Sequence, residues 1–360
     1  MTPELAVIVP TRNERPNVVP LFARLERALQ AIRWEVIFVD DNSPDRTADV
    51  VRGLAAHDAR VRLIERYGQR GLSSACVTGI VASAAPYVAV VDADLQHDVT
   101  QLPAMLRTLR EERIDVVVAS RYVAGASVCG FPERRARLSR LAVRLAHCFP
   151  RADLSDPMSG FFVLRHEAFD AALPHLSQHG FKILLDILLS APSPLRWREI
   201  PCQFGARHRG TSKLDALAAL EFLALLLDKL TGRLIPIRLL LFLCVGGSGV
   251  AVHFAVLSAL LAAGVGFIVA QSGAVLTAMT SNFALNNLIT YRDQRLTGWR
   301  WLRGLFSFYA VCAVGALANV SLGTLIYRET RVWWLAGGIG AALGAAWNYI
   351  ASRSLTWRQP

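Results

Sequence analysis

The sequence predicts an α/β domain built on a mostly parallel sheet, followed by an all-α domain of four transmembrane helices. Three observations predict it. Short β-branched apolar runs alternate with helical segments up to about residue 233. Acid-rich polar clusters close three of those runs. Beyond residue 233, charged residues vanish from long stretches of the chain.

The strand-like runs are LAVIVP (5–10), WEVIFVD (34–40), RVRLIE (60–65), YVAVVD (87–92) and DVVVAS (115–120). Between them, residues 18–29, 46–57, 73–84 and 100–111 carry apolar residues at helical spacing. Alternation of this kind gives a parallel sheet covered by helices on both faces, with ligands at the carboxyl ends of its strands. The clusters PTRNE (10–14), DDNSPD (40–45) and DADLQHD (92–98) fall at those ends. Three acid-bearing loops on one rim make a site.

The tail is read from charge. No Lys, Arg, Asp or Glu occurs over 239–291, 304–327 or 332–352. At 1.5 Å rise per residue the first stretch has room for two bilayer crossings and each of the others for one. Lys229, Arg233 and Arg238 precede the first span, Arg292, Arg295, Arg300 and Arg303 fill the second loop, and Arg353 and Arg358 follow the last. The first loop, 263–266, has no charge and the third only Arg328 and Arg331, so both termini and the front domain are expected in the cytoplasm. MTPELAVIVPTRNE reads as a first strand and not as a secretory signal. The expected divisions are 1–213 for the α/β domain, 214–233 for an interfacial helix and linker, and 234–360 for the membrane domain. Residues 216–230, ALAALEFLALLLDKL, suit a helix lying along the membrane surface. Small residues in the spans favour close helix packing, and His253, Asn282, Asn286, Asn287, Asn319 and Asn348 are expected to hydrogen-bond between helices.

A net charge of +11 is matched more simply by anionic lipid headgroups than by nucleic acid, because much of the surplus borders the spans. Six cysteines without a CxxC pair are expected to be structural thiols in a reducing compartment.

The rim chemistry begins with VVDADLQHD. Carboxylates at i and i+2 beside an amide oxygen are hard donors, and Mg²⁺ or Mn²⁺ takes one or two such carboxylates plus phosphates and water. The added acids of DDNSPD would repel one another unless a cation or sugar hydroxyls lay between them. In this order, VIVPTRNE, VIFVDDNSPDRT, GLSSACVTGI, VVDADLQHD, SRYV, DPMSGFF, GFKILL and FGARHRGTSK resemble the family 2 glycosyltransferases, in their dolichyl-phosphate mannosyltransferase (polyprenyl-phosphate glycosyltransferase) branch. The resemblance covers about 5–230. VGGSGV (245–250) and SNFALNNLITY (281–291) are similar to the GtrA-like membrane domain fused to some members.

The resemblance implies a GT-A fold and inverting transfer of a hexose from a nucleotide sugar to a lipid phosphate. Pro10, Arg12, Glu14 and Asp41, with Asp40 beside them, would line the base and ribose pocket. Asp92 and Asp94 would hold the diphosphate and metal, with Gln96 a further ligand. Arg121, Arg135 and Ser139 would contact the acceptor phosphate. Two departures stand out: Arg12 replaces a frequent aromatic residue, and HDVT replaces the common HPPE after DLQ.

A lipid monophosphate is already ionised and needs no general base. His97 and His208 are therefore expected to be polar loop residues. An anionic acceptor needs cations, and RHRGTSK supplies Arg207, Arg209 and Lys213 around Gly210, while 131–149 carries five arginines at helical spacing. Asp92, Asp94, Arg121 and Lys213 are the expected catalytic set. Asp156 either faces the sugar or caps the turn at Pro157. The first reading is mannose from GDP-mannose to a polyprenyl phosphate; the second is glucose from UDP-glucose to undecaprenyl phosphate. A lipid-linked sugar carrier or flippase with a non-catalytic nucleotide-binding half is a third. A processive polysaccharide synthase lacks its QxxRW-type motif here.

Overall fold

The computed structural model describes residues 2–68, 70–128, 142–177, 182–205, 216–230, 237–291, 294–330 and 333–357. Contacts divide the chain into two compact units, Met1–Lys229 and Leu230–Pro360.

In the first unit the expected runs become β1 (Leu5–Thr11), β2 (Trp34–Asp40), β3 (Val61–Glu65), β4 (Tyr87–Val90) and β5 (Val116–Ser120). The helices between them are α1 (Arg15–Ala28), α2 (Thr47–Ala55), α3 (Leu72–Val81) and α4 (Leu102–Glu111). Phe162–Arg165 adds β7 and Trp197–Pro201 adds β8, giving the order β3-β2-β1-β4-β7-β5-β8. A small separate sheet pairs β6 (Ser127–Val128) with β9 (Gln203–Phe204). All pairings in the large sheet are parallel except those of β7, which runs antiparallel to both neighbours. The mostly parallel α/β architecture is the one expected. The winding direction reverses between β1 and β4, and a crevice for ligands opens at the carboxyl ends of strands at such a point.

The sheet is buried on both faces, which is why its central strands read as unbroken apolar runs. Leu5, Val7 and Val9 pack in one core with Leu21 and Leu25 of α1 and Leu106 and Leu109 of α4. Ala6 and Ile8 pack in the other with Cys76 and Ile80 of α3 and with Ile183 and Ile187 of α6 (Ile183–Ser190). Helix α5 (His166–Ala172) contributes Phe169 to that second core.

Residues Ala216–Leu230 form α7. Its Phe222, Leu225 and Leu226 pack on Ala146, Ala152, Met158 and Leu185, while Leu223 and Leu227 are exposed. The helix therefore has two apolar faces, one used by the first unit. Lys229 has a partner that the charge count did not anticipate: its Nζ lies 2.7 Å from Oδ1 of the fully buried Asp186 and donates to His175 O and Ser190 Oγ.

The second unit contains α8 (Ile237–Ala262), α9 (Phe267–Leu285), α10 (Trp299–Thr330) and α11 (Trp333–Ala351). Among the described residues, two helices are long and apolar enough to cross a membrane, Arg238–Ala262 and Phe267–Thr290. The pairs α8–α9 and α10–α11 are one hairpin repeated. A single constant shift in residue number relates the π-turns Asn286–Thr290 and Ser352–Thr356 that end them. The same shift pairs Phe242 with Phe308, Phe283 with Tyr349, and Tyr291 with Trp357, all in one aromatic cluster. It also pairs Gly249, where a Cβ would strike Asn282, with Gly315, where a Cβ would strike Asn348. The repeats meet where Tyr291 stacks on Trp357, centroids 4.2 Å apart and planes 9° from parallel. Asn287 secures this end by bonding to both the N–H and the C=O of Leu296 and accepting from the Trp357 indole.

Removing one partner of a buried ion pair strands the other charge. K229M is expected to cost about 3 kcal/mol, or roughly 6–12 °C in a thermal melt of the detergent-solubilised protein. The double substitution K229M/D186L should recover most of that loss.

Candidate active site

The rim at the switch point is assembled by hydrogen bonds between loops. After β1, the amides of Asn13, Glu14 and Arg15 donate to Ser43 Oγ, Thr47 Oγ1 and Asp45 Oδ2 of the loop after β2. Asp45 Oδ1 in turn accepts from Thr47 N and Oγ1. This is the physical content of DDNSPDRT: its short polar side chains close their own turn and receive the neighbouring one.

Asp40 is wholly buried, with Oδ1 accepting from Thr11 Oγ1 and Ser43 Oγ and Oδ2 from Ser43 N. Asp41 accepts from the Arg66 guanidinium on Oδ1 and from Gly71 N, 2.9 Å away, on Oδ2. Arg66 also donates to Gly71 O and Ser74 Oγ, fixing the start of α3. Pro10, Arg12 and Glu14 are half-buried on the facing loop, where Glu14 Oε2 accepts from Asn17 Nδ2. The structure thus brings the expected donor-side residues together and makes Asp40 and Asp41 part of the loop framework.

The loop after β4 carries Asp92, Asp94, Gln96 and His97. Leu95 sits at φ +63°, a left-handed conformation costing about 1–2 kcal/mol for a side chain with a Cβ. Of the five non-glycine residues with left-handed φ among the described residues, Asn13, Asn42, Arg46 and Leu95 are on this rim. Such strain concentrates where loops are held for function. Arg24 of α1 donates to Leu95 O, and Gln96 N donates to Asp94 Oδ1. Gln96 also donates through Nε2 to Gly205 O, while its own C=O accepts from Gly205 N.

Asp92 is the opened carboxylate, its side chain 34% exposed, whereas Asp94 is buried. A third loop presses on Asp92. A Cβ built on Gly160 would lie 2.6 Å from Asp92 Oδ2, so a larger residue there would turn that carboxylate aside. The same loop holds Asp156, fully buried and paired in fork geometry with Arg121: Nε to Oδ2 at 2.7 Å and Nη2 to Oδ1 at 2.8 Å. Burial opposes the charge on Arg121, but Asp156 outweighs it and raises the guanidinium pKa further. Glu199 of β8 secures the loop by accepting from Ser155 N, Ser155 Oγ and Asp156 N. Asp156 is therefore neither a sugar ligand in waiting nor a simple turn cap: its side chain is committed to Arg121.

His97 corrects the expectation of a polar loop residue. It is buried, its ring lies 5.2 Å from that of Phe161, and Nε2 is 3.5 Å from Asp92 Oδ2. Burial alone would favour the neutral ring; the neighbouring Asp92 carboxylate outweighs it and raises the pKa to about 9. The charge on the ring is lost as pH rises through that value. Arg135, Ser139, Arg207, His208 and Lys213 lie outside the described residues.

The donor set suits a hard divalent cation. Two carboxylates and the Gln96 amide oxygen fall on one turn, and among the described residues no group of three His, Cys, Asp or Glu side chains is placed to hold a metal ion by itself. An open site of this kind leaves positions for phosphate oxygens and water.

The family model "Glycosyl transferase family 2" matches residues 6–173, and "GtrA/DPMS, transmembrane domain" matches 241–357. A dolichol-phosphate mannosyltransferase of Pyrococcus furiosus is 33% identical over 358 residues, covering 98% of this chain and 99% of the relative. The chain belongs to glycosyltransferase family 2. It is a glycosyltransferase with a GtrA-like membrane domain. The dolichol-phosphate mannosyltransferases of Mycosarcoma maydis and Saccharomyces cerevisiae are 37% and 36% identical, over 63% and 62% of this chain and 79% and 85% of their own lengths. A solved glucosyl-3-phosphoglycerate synthase of Mycobacterium tuberculosis aligns with a TM-score of 0.49 at 18% identity, over 65% of this chain and 80% of that one, too distant to bear on substrate or metal.

The glycosyltransferase rim includes residues that sequence reasoning missed: Arg66, Gly160, Glu199 and the burial of His97. DPMSGFF was the available signal for Gly160. G160A should push Asp92 from its place and lower kcat/KM about 100-fold, the scale of a displacement near 1 Å, with little change in melting temperature. Steady-state rates and a thermal melt of the same preparation check it.

Proposed function

We propose that this glycosyltransferase moves a hexose, mannose from GDP-mannose, onto a polyprenyl phosphate with inversion, using Mg²⁺ or Mn²⁺. The carrying observation is the match from end to end with a relative named dolichol-phosphate mannosyltransferase. We place four spans in the membrane unit, with both termini on the cytoplasmic side where nucleotide sugars are found, as the arginine distribution suggests.

Departure of a nucleoside diphosphate from the anomeric carbon leaves negative charge on phosphate and builds positive charge on the sugar ring. Asp92, Asp94 and Gln96 would hold the divalent cation, which offsets the charge on the leaving diphosphate when bound. Asp92, the more open carboxylate, also faces the ring's developing charge. Pro10, Arg12 and Glu14 bound the nucleoside side, on a loop kept in place by Ser43, Asp45 and Thr47. Asp41 with Arg66 sets the opposite wall. The acceptor phosphate arrives ionised, so attack needs no proton removed. That agrees with a site whose His97 is already engaged with Asp92. Arg121 shapes the acceptor side through Asp156; Arg135, Arg207 and Lys213 add cationic contacts to the lipid phosphate, and Ser139 adds a hydroxyl.

Purified protein offered radiolabelled GDP-mannose or UDP-glucose with a short polyprenyl phosphate should form labelled lipid from GDP-mannose. D94N and metal chelation should each reduce that product by about 100-fold or more, since charge-stabilising groups of this kind are worth that much. Labelled lipid from UDP-glucose instead overturns the choice of sugar. Undiminished product with metal chelated overturns the metal.

A further inference from the structure

We infer that His97 is a positioning residue that orients the carboxylate of Asp92 for its ligand, an inference resting on the metal-site reading above. Two observations converge on Asp92 Oδ2. The His97 Nε2 approaches it to 3.5 Å. The Gly160 backbone crowds the same oxygen, since a Cβ there would come within 2.6 Å of Oδ2 but only 3.4 Å of Oδ1. Oδ2 is thus the oxygen held inward, and Oδ1, without a hydrogen-bond partner among the described residues, is the one presented to the rim.

His97 itself has little freedom to do anything else. Its side chain is 5% exposed, so a buried imidazole must be hydrogen-bonded or cost free energy. Phe161 walls one side of the ring, and Asp92, the open carboxylate, lies at its Nε2. A ligating carboxylate held by such a donor keeps one oxygen turned to the metal without reorganising on binding. Proton transfer is not required of His97, because its contact is to the carboxylate and its ring is sealed from solvent.

The test is Mn²⁺ affinity of the full-length protein without sugar nucleotide, read from the EPR signal of free Mn²⁺, with a thermal melt of each variant. Wild type, D94N, H97F and H97Q are compared. H97F keeps a flat ring against Phe161 but cannot donate, and should weaken Mn²⁺ binding about 10–100-fold, the usual effect of losing a residue behind a metal ligand. H97Q can place an amide N–H near the position of Nε2 and should restore most of the affinity. Should H97F fail to fold, H97N, whose amide is too short to reach Asp92, takes its place with the same expectation. Equal affinity in wild type and H97F, or equal loss in H97F and H97Q, overturns the positioning role alone. Equal affinity in wild type and D94N overturns the metal-site reading and this inference with it.

Discussion

Asp92 lies against a loop that has no Cβ to spare. The backbone at Gly160 approaches its carboxylate so closely that a Cβ there would strike it. Glu199 holds the loop of residues 155–160 from below and Arg121 pairs across it through Asp156. Arg24 and Gly205 hold the turn of residues 92–97 from either side. The placement of Asp92 at the carboxyl ends of β1 and β4 depends on this contact, because the missing Cβ leaves its carboxylate the room it occupies.

The acids of the rim divide into two kinds by their surroundings. Asp40, Asp41, Asp45 and Asp156 spend their oxygens on backbone amides, hydroxyls or an arginine, and they build loops. Asp92 and Asp94 stand on the strained turn at Leu95, and Asp92 opens to solvent. Repulsion among so many carboxylates is met by Arg66, Arg121 and His97, each buried against one of them. Asp92 stays 34% exposed beside His97, and the Asp92–Asp94 turn is where a cation and a diphosphate are most useful.

Much of the sheet was legible because strands buried on both faces must be apolar and β-branched, as VIFV and VVVA are. β7 begins at the last residue of DPMSGFF and runs for only four residues, so that stretch read as motif and not as strand. β8, WREIP, is an edge strand with Ile200 its one aliphatic residue, so no apolar run announced it. The acidic side of the site was legible because aspartates at strand ends are chemically conspicuous. Arg66 was not, since one arginine among many carries no signal until its partner is known. His97 and Lys229 hid their partners for the same reason: a polar residue in a loop or beside a span reads as solvated, and only the fold shows that Asp92 and Asp186 wait beneath them. The hairpin repeat is faint in sequence because lipid-facing positions vary freely, leaving only the glycine, asparagine and aromatic contacts in register.

The central claim is that a divalent cation and a nucleoside diphosphate share the turn between Asp92 and Asp94. Anomalous diffraction at the manganese edge, from crystals grown with Mn²⁺ and GDP, tests it most directly. The account predicts a single strong peak within coordinating distance of both carboxylates and of the diphosphate. A peak away from that turn, or a diphosphate bound elsewhere on the first unit, would contradict it.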